Sequence, residues 1–345
     1  MRTRKGKEQP DIFGILEHAS SSQQRLTGLD RLDAAIDWEH FRPTLLERLQ
    51  YSDQKKGGRA PWDPVLMLKV LVLQKFHGLS DEQTEFQLLD RFSFMRFVGL
   101  QPGDGAPDYS TIWRFKEALG EDGMRALFDV FNQQLQAQGL IGKEGRIVDA
   151  SFVDAPRQRN TPDQNAQIKC GERPADFDAN PFVGRQKDTE ARWTKKGDEV
   201  HFGYKNHVKA DAASKFIEDF SVTNAAIHDS QVFKNLVHEA DAGRAIFADS
   251  AYRSAEFESY LEDLGAQSCI HEKGTRGAPL NEVQRKTNQL KSQTRARVEH
   301  LFGRLTHFGA HLCRRIGQTR NTIEIALANL TYNLDRYALP PTCRA

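Results

Sequence analysis

The chain has 345 residues, 39% hydrophobic and 28% charged, with 48 Lys+Arg against 47 Asp+Glu. That length suggests about two domains with real cores, and the composition is ordinary for a soluble globular protein. A net charge of +1 leaves any nucleic-acid surface to local clustering.

No apolar run reaches the roughly 18 residues of a membrane span; the richest, Val65–Leu73, is broken by Lys69. The start, "MRTRKGKEQPDIFG", is basic but lacks the apolar stretch of a signal peptide. Cys170, Cys269, Cys313 and Cys343 lie far apart with no C-x-x-C pair. This argues against a zinc site and a disulfide framework and fits a reduced, cytoplasmic setting without membrane contact.

Residues 1–140 read as a helical domain. "DPVLMLKVLVLQKFHG" has Asp63 as N-cap, Pro64 at the first helical position and Gly78 as terminator. Ser80 and Gln83 open the next helix at capping-box spacing. Asp108 or Ser110 caps "TIWRFKEAL", with Ile112, Phe115 and Leu119 on one face, and Met124, Leu127, Phe128, Phe131 and Leu135 continue at helical spacing.

Residues 141–345 change pattern. "GRIVDASFVDA", "HFGYKNHVKAD", "FIEDFSVTNAAI" and "AIFADSAY" predict strands; "SQVFKNLVHEA" and "SAEFESYLEDLG" predict helices among them. The fold class expected is α + α/β: a helical N-terminal domain, a mixed-sheet domain and a helical C-terminus. Residues 156–198 are polar and proline-punctuated, and read as an inserted loop. Trp193 within it reads as a surface aromatic packed on its own loop.

Two apolar runs carry an embedded acid: Asp149 after Ile147 and Val148, and Asp249 after Ile246 and Phe247. A carboxylate among strand residues is costly unless it is paired, and strand carboxyl ends are where α/β sheets hold ligands. Glu299 borders the apolar stripe Val298, Leu301, Phe302, Leu305 and Phe308, with Arg295 one turn earlier. Such carboxylates suit Mg2+ or Mn2+, and two such ions serve phosphodiester cleavage.

The order Asp149 in "VDAS", Asp249 in "ADSAY" and Glu299 in "RARVEH" resembles the DDE triad of bacterial insertion-sequence transposases, most closely the insertion sequence five family. "GLSDEQTEFQLLDRFSFMRFVGL", "PDYSTIWRF", "GLIGKEGRIVDASFVDAP", "RWTKKGDEVHFGYKNHVKAD", "AAIHDSQ" and "NTIEIALANLTYNL" are similar to that family too. The resemblance implies a ribonuclease H-like core in which Asp149, Asp249 and Glu299 bind two Mg2+ (or Mn2+) ions. It also implies cleavage and strand transfer of DNA at element ends, in a bacterial cytoplasm. Pairing two ends implies a homodimer or higher oligomer. The related Y-R-E-K signature maps its arginine and glutamate onto Arg295 and Glu299, while Ser292 and Thr306 stand at its tyrosine and lysine positions. Arg304, or Arg314 and Arg315, are the replacements for that lysine.

Residues 273–320 hold eleven basic and two acidic residues, a one-signed run that favours DNA contact through Arg295, Arg297, Arg304, Arg314 and Arg315. Lys205 faces away from Tyr204 and Val208, toward substrate. Asp154, His228 and Asp229 are candidates for supporting the metal ligands, with helix capping as the rival role for Asp229. The alternatives in function are a metal-dependent nuclease that cuts without joining and a non-catalytic DNA-binding protein on the same fold.

Overall fold

The computed structural model describes residues 27–49, 60–101, 103–142, 145–274 and 277–340. Within them helices come first: α1 (Gly28–Ala35), α2 (Arg42–Leu49), α3 (Pro64–Phe76), α4 (Asp81–Asp90), α5 (Phe92–Val98) and α6 (Tyr109–Ala137). Their starts follow the expected caps. Asp63 accepts from the Val65 and Leu66 N–H groups at 2.9 and 3.0 Å. Ser80 and Gln83 exchange hydrogen bonds at 3.1 Å, and Asp108 caps α6 through the Thr111 N–H at 2.7 Å. The two apolar stripes expected on either side of Gly120 form one helix, kinked at that residue, whose φ of +62° suits only glycine.

β1 (Arg146–Asp154) opens the sheet. Residues 156–198, expected as loop, fold into α7 (Pro162–Lys169), α8 (Ala175–Ala179), α9 (Pro181–Gly184) and β2 (Arg192–Lys196). The apolar signal there is thin because the segment buries few side chains, Ile168 and Phe177 among them. Polar contacts secure it instead: the buried Asp188 carboxylate accepts from the Tyr204 hydroxyl at 2.9 Å and the Gly317 N–H at 3.1 Å.

Then follow β3 (Glu199–Asp211), β4 (Ile217–Asn224), α10 (Phe233–Leu236), β5 (Ala245–Ala248), α11 (Ala255–Asp263) and β6 (Gln267–Ile270). The chain ends in α12 (Glu282–Arg295), α13 (Arg297–His307) and α14 (Gln318–Ala338). The strands run β4-β3-β1-β5-β6, with β2 extending β3 as a hairpin. β3 is antiparallel to β1 and β4, and β1, β5 and β6 are parallel. This is the ribonuclease H-like arrangement. β2 and β6, five and four residues long, were not among the expected strands.

Alternation along β1 divides the interior. Ile147 joins Val208 and Phe220 in a core shared with Leu330 of α14 and with the N-terminal helices, through Leu68 and Phe128. Val148 faces the other way, onto Phe233, Ile246 and Leu261. Each such side chain contributes about 1.5–3 kcal/mol. α14 is buried on nearly all sides, and its polar positions fix its register. Asn329 pairs with Asn206 at 2.9 Å, and Asn333 accepts from the Ile217 N–H at 2.9 Å.

Candidate active site

β1 and β5 pair Arg146 with Ile246 and Ile147 with Phe247. Two residues further along the same register, Asp149 lies beside Asp249. β5 stops at Ala248 because Asp249 turns into a cap, accepting from the Ala251 N–H at 2.8 Å. Asp149 remains within β1. Its Oδ1 accepts from the Ala150 N–H at 2.8 Å, and its Oδ2 from Arg295 Nη1 at 2.7 Å. Burial raises the Asp149 carboxyl above the ordinary range and Asp249 pushes the same way, while Ala150 N–H and Arg295 oppose them.

Further groups line this end of the sheet. Tyr252 is buried, and its hydroxyl has no hydrogen-bond partner among the described residues. Burial raises its pKa well above normal, helped by the charges of Asp229, Asp149 and Asp249. His271 is held below the usual imidazole range by burial, then by Arg295 and Lys291, with Asp249 opposing. Sequence patterning did not single out Tyr252; the only available signal was its place three residues after an embedded acid.

The remaining candidates are distributed as follows. Lys205 is buried, donating to Asp229 Oδ1 and the Ile227 carbonyl, both at 2.8 Å. His207, also buried, lies 3.9 Å from the same carboxylate. The cap of the 229–232 turn is His228, bonded to Ser230 at 2.8 Å, so Asp229 is free of that role. Asp154 lies five residues from Asp149, about 17 Å along the strand. It pairs with His201 at 3.1 Å.

Glu299 is exposed in the first turn of α13, beside a shallow cavity lined by His300, Gly303, Arg304 and His307. A turn at Ala296 divides the helix expected there, so Arg295 and Glu299 belong to different helices. The structure thus brings Asp149 and Asp249 together and leaves Glu299 apart. Among the described residues no group of three or more His, Cys, Asp or Glu forms a metal cage. Two adjacent carboxylates, one desolvated and countered by a single arginine, are still a donor set that suits a hard divalent cation.

The basic candidates are mostly engaged within the protein. Arg295 grips Asp149, Arg297 donates to the Ala212 carbonyl at 2.7 Å, and Arg304 binds Asp335 at 2.8 Å. Arg315 pairs with Asp81 and lies 3.5 Å from Glu324. Arg314 is exposed, with no carboxylate partner among the described residues.

Two family matches account for most of this layout. Residues 141–334 match the Transposase DDE domain, and residues 17–118 match a second Transposase domain, DUF772. A solved structure, the piggyBac transposase in a synaptic complex with hairpin DNA, aligns with a TM-score of 0.46 at 11% identity, covering 92% of this chain and 76% of that one. That likeness is too distant to inform the site. The chain belongs to the DDE transposase family: it is a DNA transposase of the insertion-sequence type, a polynucleotidyl transferase of a family that uses a divalent metal. No helix among the described residues is long and apolar enough to cross a membrane.

Proposed function

We propose that this transposase belongs to the insertion sequence five group, nicks DNA at the ends of its element and joins the freed 3′-hydroxyl to target DNA. Asp149, Asp249 and Glu299 are the metal ligands, for two Mg2+ or Mn2+ ions. The observation that carries the reading is that Asp149 and Asp249 each lie two residues past the Ile147–Phe247 pair of adjacent parallel strands, near enough for the Asp249 charge to act on Asp149. Glu299 is supported by its place four residues after the arginine that grips Asp149, across the turn at Ala296.

A divalent metal held by these carboxylates would supply activation of a water or 3′-hydroxyl and charge neutralisation at the scissile phosphate. The chain's own residues do the positioning. Arg295 orients the Asp149 carboxylate and carries a cation to the phosphate's approach. Lys205 fixes Asp229, and His271, held below the usual imidazole range by burial, borders the cleft. Of the basic candidates Arg314 is the one free of an internal partner among the described residues for DNA contact, and a homodimer in a bacterial cytoplasm pairs the two ends.

The test compares wild type with Asp249→Asn and Glu299→Gln on end-bearing DNA with Mg2+, scoring nicks and joined product. Loss of both products in each variant, with DNA binding intact, supports the triad. Full activity in Glu299→Gln removes that residue from the ligand set. Nicks without joined product from wild type favour a nuclease, and binding without nicks favours a non-catalytic protein.

A further inference from the structure

β1 leaves the sheet at Asp154, where residues 311–313 run beside it: the Asp154 N–H donates to the His311 carbonyl at 2.9 Å, and the Cys313 N–H to the Asp154 carbonyl at 2.8 Å. Gly203 lets β3 pack closely against this end of β1. Its φ is +150°, and a β-carbon there would stand 2.2 Å from the Val153 carbonyl. Beyond the crossing two cavities, of about 590 and 370 Å3, meet at Arg314 and Arg315. The larger is walled by Arg157, Arg159, Lys187 and Arg314, and the smaller reaches the N-terminal helices at Lys75 and Lys116, with Trp113 at its rim.

The acids of this groove are mostly occupied. Asp188 is buried under the Tyr204 hydroxyl and backbone N–H groups. Asp81 and Glu324 are shared among Lys75, Lys116 and Arg315. Glu82 alone stands exposed at the rim. The cations of the larger cavity are different: Arg157, Arg159, Lys187 and Arg314 have no carboxylate partner among the described residues. Lys187 is instead held by the Arg159 carbonyl at 2.6 Å and Asn160 at 2.8 Å, and Arg157 lies 5.9 Å over the Trp193 ring. Neutral partners gather these like charges around one cavity, and their mutual repulsion is relieved by an anion.

We propose that this groove is a DNA-backbone track, in which Arg157, Arg159, Lys187 and Arg314 hold phosphates of the strand that passes through the active site. Its wall at Ala155 lies just past the end of β1, six residues on from Asp149, about 20 Å, or roughly six nucleotide steps of about 3.4 Å. The inference rests on the transposase reading but not on the identity of the third metal ligand.

The test measures binding of a fluorescent 30-base-pair duplex of arbitrary sequence by anisotropy across a KCl series. Arg157→Ala/Arg159→Ala/Arg314→Ala is compared with a control triple of exposed cations elsewhere, Arg48→Ala/Arg91→Ala/Lys234→Ala. Each phosphate contact contributes about 0.9 to the slope of log K against log salt, so the groove triple is expected to lose roughly 2–3 from the slope and the control little. Equal losses, or an unchanged slope in the groove triple, overturn the track. If the groove triple melts early, Arg314→Ala alone gives the same reading at one contact's size. Wild-type protein that shows no salt-dependent binding would instead undercut the transposase reading itself.

Discussion

Arg146 and Asp149 stand three residues apart on β1, both largely withdrawn from water, yet their surroundings are opposite. Arg146 is 3% exposed and ringed by Asp211 at 3.3 Å, Glu218 at 2.6 Å and Asp241 at 3.5 Å, with Lys209 on Asp241 at 2.9 Å. Two cations and three carboxylates make a closed cluster at the strand's start. Asp149, further along, has one arginine and a second carboxylate, Asp249, that repels it. A buried charge with full compensation holds the fold; one left short of countercharge is ready for a ligand.

The sharpest way to break the comparison is at Arg146. Arg146→Ala removes the cation shared by three buried carboxylates and should cost about 3–5 kcal/mol, read by guanidinium unfolding, while strand cleavage per folded molecule stays near wild type. A loss of activity without loss of stability would show that both charges serve the site.

Asp149→Asn should do the reverse. Cleavage is expected to fall by more than about 100-fold, beyond the loss typical of a residue that only supports a metal ligand. Stability should hold, because a buried charge has been removed. Wild type should also gain melting temperature on adding Mg2+, and this variant should not; a metal-induced rise in both would exclude Asp149 as a ligand.

Glu218 gives a pH signature confined to the structural cluster. Burial pushes its carboxyl up to about 7, outweighing Arg146, which it shares with Asp211 and Asp241. The folded state therefore binds a proton that the unfolded state has released, and stability declines as pH rises from the ordinary glutamate range to about 7. Glu218→Gln should flatten that decline in melting curves taken between those limits; an unaltered slope would assign it to another group.

The smallest effect is expected at Arg295, which is a quarter exposed. Arg295→Gln leaves Asp149 without its cation and should lower metal-free stability by about 1–2 kcal/mol, with Mg2+ restoring most of it. No restoration by Mg2+ would mean that Arg295 braces the fold rather than standing in for a cation.

Much of this protein was legible in one dimension. The caps at Asp63, Ser80 and Asp108, the apolar stripe of α6 and the acids embedded after Ile147–Val148 and Ile246–Phe247 are local signals, set by hydrogen bonds within a turn or by side-chain alternation. They determine which elements form and that Asp149 and Asp249 each end up where charge is costly. The tertiary structure alone decided the rest. It set the two aspartates abreast through the register of β1 and β5, enclosed Lys205 with Asp229, divided the helix before Glu299, and engaged most of the C-terminal arginines in internal pairs. Those outcomes depend on partners far apart in the chain: Arg295 is 146 positions from Asp149 and Arg315 is 234 from Asp81. A charge's role follows from the countercharges packed around it, which spacing along the chain does not encode.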